Sequence, residues 1–134
     1  IIAYSLQSNI FSFPLAVLYL GVIAWIVSFD TYYALEDKED DLKIGINSTA
    51  ILWGDNAIKY SQILHLYFYS SLLLIAIVNQ FSYIFFLNFI ILIALFLHQR
   101  KLIKNKQYMA GFKINNWVGI VALIGFTFEI IYLN

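Results

Sequence analysis

Two long stretches of this chain carry no charge, and a third is interrupted only by Glu129. The first runs from Ile1 to Phe29, with Asn9 and Pro14 as its polar and conformational breaks. Pro suits the first turn of a helix, where its missing N–H is harmless. A spanning helix is therefore predicted at about 13–36, and 1–7 reads as the end of an earlier helix. The second stretch, Tyr60–Leu97, holds 38 residues without Asp, Glu, Lys or Arg. As one helix it would be roughly 57 Å long, nearly twice the hydrocarbon thickness of a bilayer. It must fold back, and the polar break at Asn79-Gln80-Phe81-Ser82 is the place. Two spans follow, at about 60–78 and 83–99. A final span is predicted at about 114–132.

Composition agrees with this pattern. Apolar residues make up 62% of the 134 and charged residues 12%, against an ordinary share of about 25% charged. The fold class predicted is all-α, an integral membrane helical bundle. Formal net charge is zero, so no basic field points to nucleic acid. The chain has no Cys, which excludes disulfides, thiolate metal sites and a Cys nucleophile. It begins Ile-Ile-Ala with no basic leader, and is expected to be a piece of a longer protein.

Charge also orients the bundle. Every Lys and Arg falls either at Lys38, Lys43 and Lys59 or at Arg100, Lys101, Lys104, Lys106 and Lys113. The hairpin between them puts both groups on one side, and its tip at Asn79–Ser82 is uncharged. By the positive-inside rule both charged segments are cytoplasmic and the tip and C-terminus external. In the first charged segment, Asn47 or Ser48 can cap a short helix that Gly54 terminates at the left-handed position. Such an apolar turn is expected to lie on the membrane surface above the acids, as a lid.

The acids themselves hold the chemistry. At about 100° per residue, Asp37 and Asp41 fall about 20° to either side of Asp30 on a helix, while Glu36 and Glu39 point elsewhere. Asp30, Asp37 and Asp41 therefore share one stripe of a helix expected to continue past the membrane edge. Asp37 and Asp41 are one turn apart, about 6 Å along the axis, which suits a shared metal; Asp30 lies about 10 Å deeper. A solvated charge run is the bland alternative, but a carboxylate at the edge of an apolar span is costly without a cationic partner. Mg²⁺ fits, because it takes one or two carboxylates and completes its shell with water and phosphate oxygens. An EF-hand loop does not, since Leu42 stands where its sixth-position Gly belongs.

The run Asp30-x-x-Tyr33-Ala34-x-x-Asp37-x-x-x-Asp41, continuing through Lys43-Ile-Gly45 to Ser48-Thr49-Ala50, resembles the second aspartate-rich motif of the UbiA superfamily of intramembrane prenyltransferases. His98-Gln-Arg-Lys-Leu and Gly111-Phe112-Lys-Ile-Asn115-Asn116-Trp117 are similar to that family's last loop and final helix. The resemblance covers essentially the whole chain but only the C-terminal half of the family's domain, so 1–134 is expected to be one half of a single polytopic domain. It implies Mg²⁺-dependent transfer of a polyprenyl group from polyprenyl diphosphate to the ring of 4-hydroxybenzoate, in ubiquinone biosynthesis, in a bacterial or mitochondrial inner membrane. Asp37 and Asp41 would be metal ligands, Asp30 a third catalytic acid, and Tyr33 and Lys43 substrate contacts. The family's first motif, of the form Asn-Asp-x-x-Asp-x-x-x-Asp, is absent, so the chain alone is expected to be inactive. The alternatives are a non-catalytic membrane module whose acidic loop binds cations, and a divalent-cation pathway. The latter expects acids on several spans, yet only Asp30 and Glu129 approach membrane depth.

Other polar residues have plainer readings. His65, with no second ligand nearby, is expected to be a packed polar contact. His98 suits the dipole at a helix end. Asn47-Ser48-Thr49 fits a glycosylation sequon, which a cytoplasmic loop leaves unused. Glu129 is expected to reach interfacial water. Trp25, Trp53 and Trp117 suit interface belts.

Overall fold

The structure, a computed structural model, describes residues 13–132. The earlier helix expected at 1–7 lies outside them. The helices are α1 (Phe13–Glu36), α2 (Lys38–Ile44), α3 (Thr49–Trp53), α4 (Ala57–Val78), α5 (Tyr83–Lys104) and α6 (Tyr108–Tyr132), with one 3-10 turn at Gly54–Asn56. Four of the helices are long and apolar enough to cross a membrane. α1 has the bounds its Pro14 and its charges predict. The other three outrun the charge-based estimates: α4 begins at Ala57, α5 runs on to Lys104 and α6 begins at Tyr108. Charge marks where hydrocarbon ends, not where hydrogen bonding ends, and basic side chains at a helix edge can snorkel to water.

α1 and α4 pack most extensively. Small residues permit this. Gly21, Ala24 and Ser28 face α4, and a Cβ at Gly21 would overlap the side chain of Ser71. In a bilayer, where lipid is as apolar as Leu, such close approach is a main source of helix association. Around it lies the apolar core: Phe68, Tyr69 and Leu72 of α4, Leu92 and Phe96 of α5 and Val118 of α6. Trp25 of α1 stacks on Phe68 with centroids 4.9 Å apart.

α5 and α6 are tied at three depths. Gln99 Nε2 donates to the Gly111 carbonyl at 2.8 Å, and Asn88 Nδ2 to the Val121 carbonyl at 3.0 Å. At the far end the Glu129 carboxylate accepts from the backbone N–H and the hydroxyl of Ser82. Glu129 is 4% exposed, so the expectation that it reaches water is corrected: it caps the N-terminus of α5 instead. Gly111 and Gly125 make the approach possible, since a Cβ at either would overlap Ile103 or Asn88 respectively. α4 and α5, although joined by the short turn at Asn79–Ser82, meet only sparsely. The neighbours around the bundle thus run α4, α1, α6, α5. Contact of Tyr33 with Phe112 brings the end of α1 to the start of α6, so the two charged segments lie at one end and the Asn79–Ser82 turn at the other.

Candidate active site

The acidic stripe begins on the last turns of α1. The buried residues Gly21, Ser28 and Tyr32 point at α4, and Asp30 lies roughly 160–200° round from them. Asp30 is exposed, and Asp37 and Asp41 are half-buried. The helix does not continue unbroken to Asp41. It pauses at Asp37, whose φ of −93° and ψ of 5° make it the cap between α1 and α2. This corrects the single continuous helix. Yet Asp37 N–H still reaches the Tyr33 carbonyl at 3.3 Å, and Asp41 N–H the Asp37 carbonyl at 2.9 Å. The four-residue spacing of the backbone bonds survives the bend, so Asp37 and Asp41 remain one turn apart.

α2 ends within one turn of Asp41. Gly45 takes a φ of 74°, and both its N–H and that of Ile46 bond to the Asp41 carbonyl. This is a left-handed cap that a Cβ would oppose. Lys43 lies about 200° round α2 from Asp41 and pairs with Asp40 at 3.9 Å, both side chains well exposed. Tyr33 stands on the flank of the stripe, edge-on to Phe112 at 5.3 Å, with Phe29 against the same ring at 5.9 Å.

Ser48 caps α3, accepting the Ile51 N–H at 3.4 Å, and Gly54 follows it with a φ of 54°. α3 docks on α1 through Thr31 and Thr49, whose hydroxyls are 2.6 Å apart. Thr31 donates to the Val27 carbonyl, so Thr49 supplies the proton between them. Thr31 is about 100° round α1 from Asp30. The short helix therefore braces the flank of α1 and does not lie over the stripe as a lid.

Among the described residues no three His, Asp or Glu side chains come together as a metal cage. The donors present are two carboxylates at one-turn spacing. All-oxygen, anionic and incomplete, that set fits Mg²⁺, which keeps water and phosphate oxygens in its shell.

A second polar cluster sits in the middle of the bundle. Ser28 Oγ donates to the Ser61 carbonyl at 2.8 Å and lies 2.7 Å from His65 Nδ1. With its one proton committed to the carbonyl, the hydroxyl accepts from Nδ1–H, which fixes the imidazole tautomer. Trp25 Nε1 donates to Asn115 Oδ1 at 3.0 Å, and Asn115 Nδ2 to the Phe112 carbonyl at 2.8 Å. Asn115 also lies beside His65, but His65 Nε2 keeps no hydrogen bond among the described residues. His65 is thus a packed polar contact, as expected. The links from Ser28 and Trp25 to α4 and α6 set the rotation of α1, and hence the direction of its acids. That role was missed; polar residues inside apolar spans were the available signal.

Four helices long and apolar enough to span, with a half-buried pair of carboxylates where the first of them ends, define an integral membrane helical bundle. Residues 1–120 match the model of the UbiA prenyltransferase family, and the chain belongs to that family. It is 36% identical to 4-hydroxybenzoate octaprenyltransferase of Saccharophagus degradans, over 98% of this chain and 45% of that relative. It is 42% identical to the protein of the same name from Serratia proteamaculans, over 92% of this chain and 43% of that relative. For the Tolumonas auensis protein of that name, identity is 37% over 81% of this chain and 39% of the relative. The chain thus spans less than half the length of these relatives. No solved structure matches it.

Proposed function

We propose that the chain is the C-terminal half of a polytopic aromatic prenyltransferase domain. The whole protein transfers a polyprenyl group from a polyprenyl diphosphate to the ring of 4-hydroxybenzoate, a step of ubiquinone biosynthesis. What carries the reading is the pair Asp37 and Asp41, half-buried and one turn apart on the side of α1–α2 turned away from α4, in a chain of this family.

In this reading Asp37 and Asp41 hold Mg²⁺. When bound, the ion neutralises charge that develops on a departing diphosphate. Asp30, deeper on the same stripe, faces the reacting carbons and orients a hydroxyl or a water. Tyr33, fixed by Phe112, presents its ring and hydroxyl beside that path. Lys43, on the far side of α2 from Asp41, reaches the diphosphate only by leaving its exposed partner Asp40, a small cost for a surface ion pair, and by a turn of the short helix that carries it. The stripe opens to the cytoplasmic side of a bacterial or mitochondrial inner membrane. Two ligating carboxylates do not make a full diphosphate site, so the chain by itself is inactive.

The test is Asp37→Ala and Asp41→Ala in the full-length protein, assayed with excess Mg²⁺ and saturating diphosphate. Each is expected to lower kcat by about a hundredfold or more, the scale of losing one transition-state charge contact. Turnover within a few-fold of wild type in both variants would overturn the assignment.

A further inference from the structure

The sparse meeting of α4 and α5 leaves a cavity of about 340 Å³ between them, open along one side. Its walls are Leu66, Ser70 and Leu73 of α4 and Phe89, Ile93 and Phe96 of α5. Ser70 donates its proton to the Leu66 carbonyl of its own helix, and the hydroxyl of Tyr69, which also lines the cleft, is buried, without a hydrogen-bond partner among the described residues. The walls suit a hydrocarbon chain.

Both walls end in a cation. On α4, Lys59 lies about 20° round from Leu66 and two turns nearer the charged end. On α5, Arg100 lies about 20° round from Phe89, one turn beyond Phe96. The helices are antiparallel and joined at Asn79–Ser82. Lys59 is 19 residues from Val78 at the turn and Arg100 is 17 from Tyr83. At 1.5 Å per residue, that sets Lys59 about 28 Å and Arg100 about 25 Å from the turn. The two cations therefore stand at about one level beyond the charged end of the cleft, Lys59 about 10 Å past Leu66 and Arg100 about 6 Å past Phe96, and both are exposed. Neither helix carries an acid. Asp55, one turn before Lys59, makes no ion pair with it among the described residues.

We propose that this cleft binds an anionic phospholipid, one acyl chain lying between α4 and α5 and the headgroup phosphate held by Lys59 and Arg100. The diphosphate of a prenyl donor is the competing occupant. The absence of any carboxylate from the cleft walls disfavours it, since a diphosphate there lacks the metal-holding groups that the stripe on α1 supplies, and α4 packs on the opposite face of α1 from that stripe. The inference stands apart from the catalytic assignment.

Native mass spectrometry of the full-length protein, with phosphatidylglycerol and phosphatidylethanolamine supplied in equal amounts, reads it directly. Wild type is expected to retain phosphatidylglycerol preferentially. Lys59→Gln with Arg100→Gln should weaken that retention about thirtyfold, from roughly fivefold per cation near an anionic headgroup, and weaken phosphatidylethanolamine far less, because its ammonium offsets the same phosphate. Ser70→Trp, which fills the cleft without changing charge, should lower both. Raising salt on the wild-type protein checks the same point without a variant, and should weaken phosphatidylglycerol much more than phosphatidylethanolamine. Equal retention of the two lipids by wild type, or phosphatidylglycerol retention indifferent to salt and to the double substitution, would overturn the proposal. So would one-for-one displacement of the lipid by farnesyl diphosphate in the absence of divalent metal.

Discussion

The carboxylate of Glu129 holds Ser82 twice, accepting its backbone N–H at 2.7 Å and its hydroxyl at 2.8 Å. The residues are 47 positions apart, so this contact joins the last span to the start of the one before it. A carboxylate at a helix N-terminus also meets the positive end of the helix dipole. Glu129→Ala leaves the Ser82 N–H and hydroxyl without this acceptor in a half-buried place. It is expected to cost about 1–3 kcal/mol, and Glu129→Gln less, because an amide oxygen still accepts. Thermal unfolding of the purified full-length protein in detergent gives the order wild type, Gln, Ala. A reversed order between Gln and Ala would show that the cap is not what Glu129 supplies.

Gly21 and Ser71 set the closeness of α1 and α4. Gly21→Ala puts a methyl group into the Ser71 side chain, whose hydroxyl is bonded to the Phe68 carbonyl at 2.6 Å. Overpacking of this kind costs typically about 1–3 kcal/mol. Ser71→Gly in the same protein removes the obstacle and is expected to recover much of the loss. A double-mutant cycle measures the coupling, and additive effects would refute the contact.

Two turns place an ordinary side chain where glycine is favoured. Gln80 has a φ of 52° and Lys106 a φ of 60°, each just beyond a helix end. Gln80→Gly and Lys106→Gly should each raise stability by about 0.5–1 kcal/mol, the strain removed exceeding the entropy glycine adds. Small upward shifts in Tm are the expected result.

Orientation is open to chemical labelling, because the chain has no native Cys. Asn105→Cys and Gln80→Cys place single thiols at opposite ends of α5. With an impermeant thiol reagent on intact cells, position 80 is expected to react and position 105 to be protected. The opposite pattern would reverse the orientation and move the proposed site to the other side of the membrane.

Much of this was legible from the sequence. Pro14 and the first acids bound α1 correctly, and Ser48 caps α3 as predicted, whereas Gly54 ends it with a φ of 54° and a ψ of −126°, outside the left-handed cap expected of it. The bend at Asp37 was not legible, since no Gly or Pro marks it among residues of ordinary helix propensity. The polar residues Asn88, Gln99 and Asn115 could be seen inside apolar spans, but their partners could not. Which neighbour a side chain meets depends on the rotation of each helix, and uniformly apolar spans contain little periodicity from which to read it. Lys43 shows the same limit. Its spacing from Asp41 was plain, but its pairing with Asp40 follows from local helix geometry.

The three ties between α5 and α6 have a consequence for how the two spans sit in the bilayer. Gln99, Asn88 and Glu129 each have their partner at one vertical position only. Sliding one span past the other by a turn would strand all three polar groups in hydrocarbon, where an unmet hydrogen bond is at its most costly. The pair is therefore held to one register once both spans are in the bilayer, whatever surrounds them.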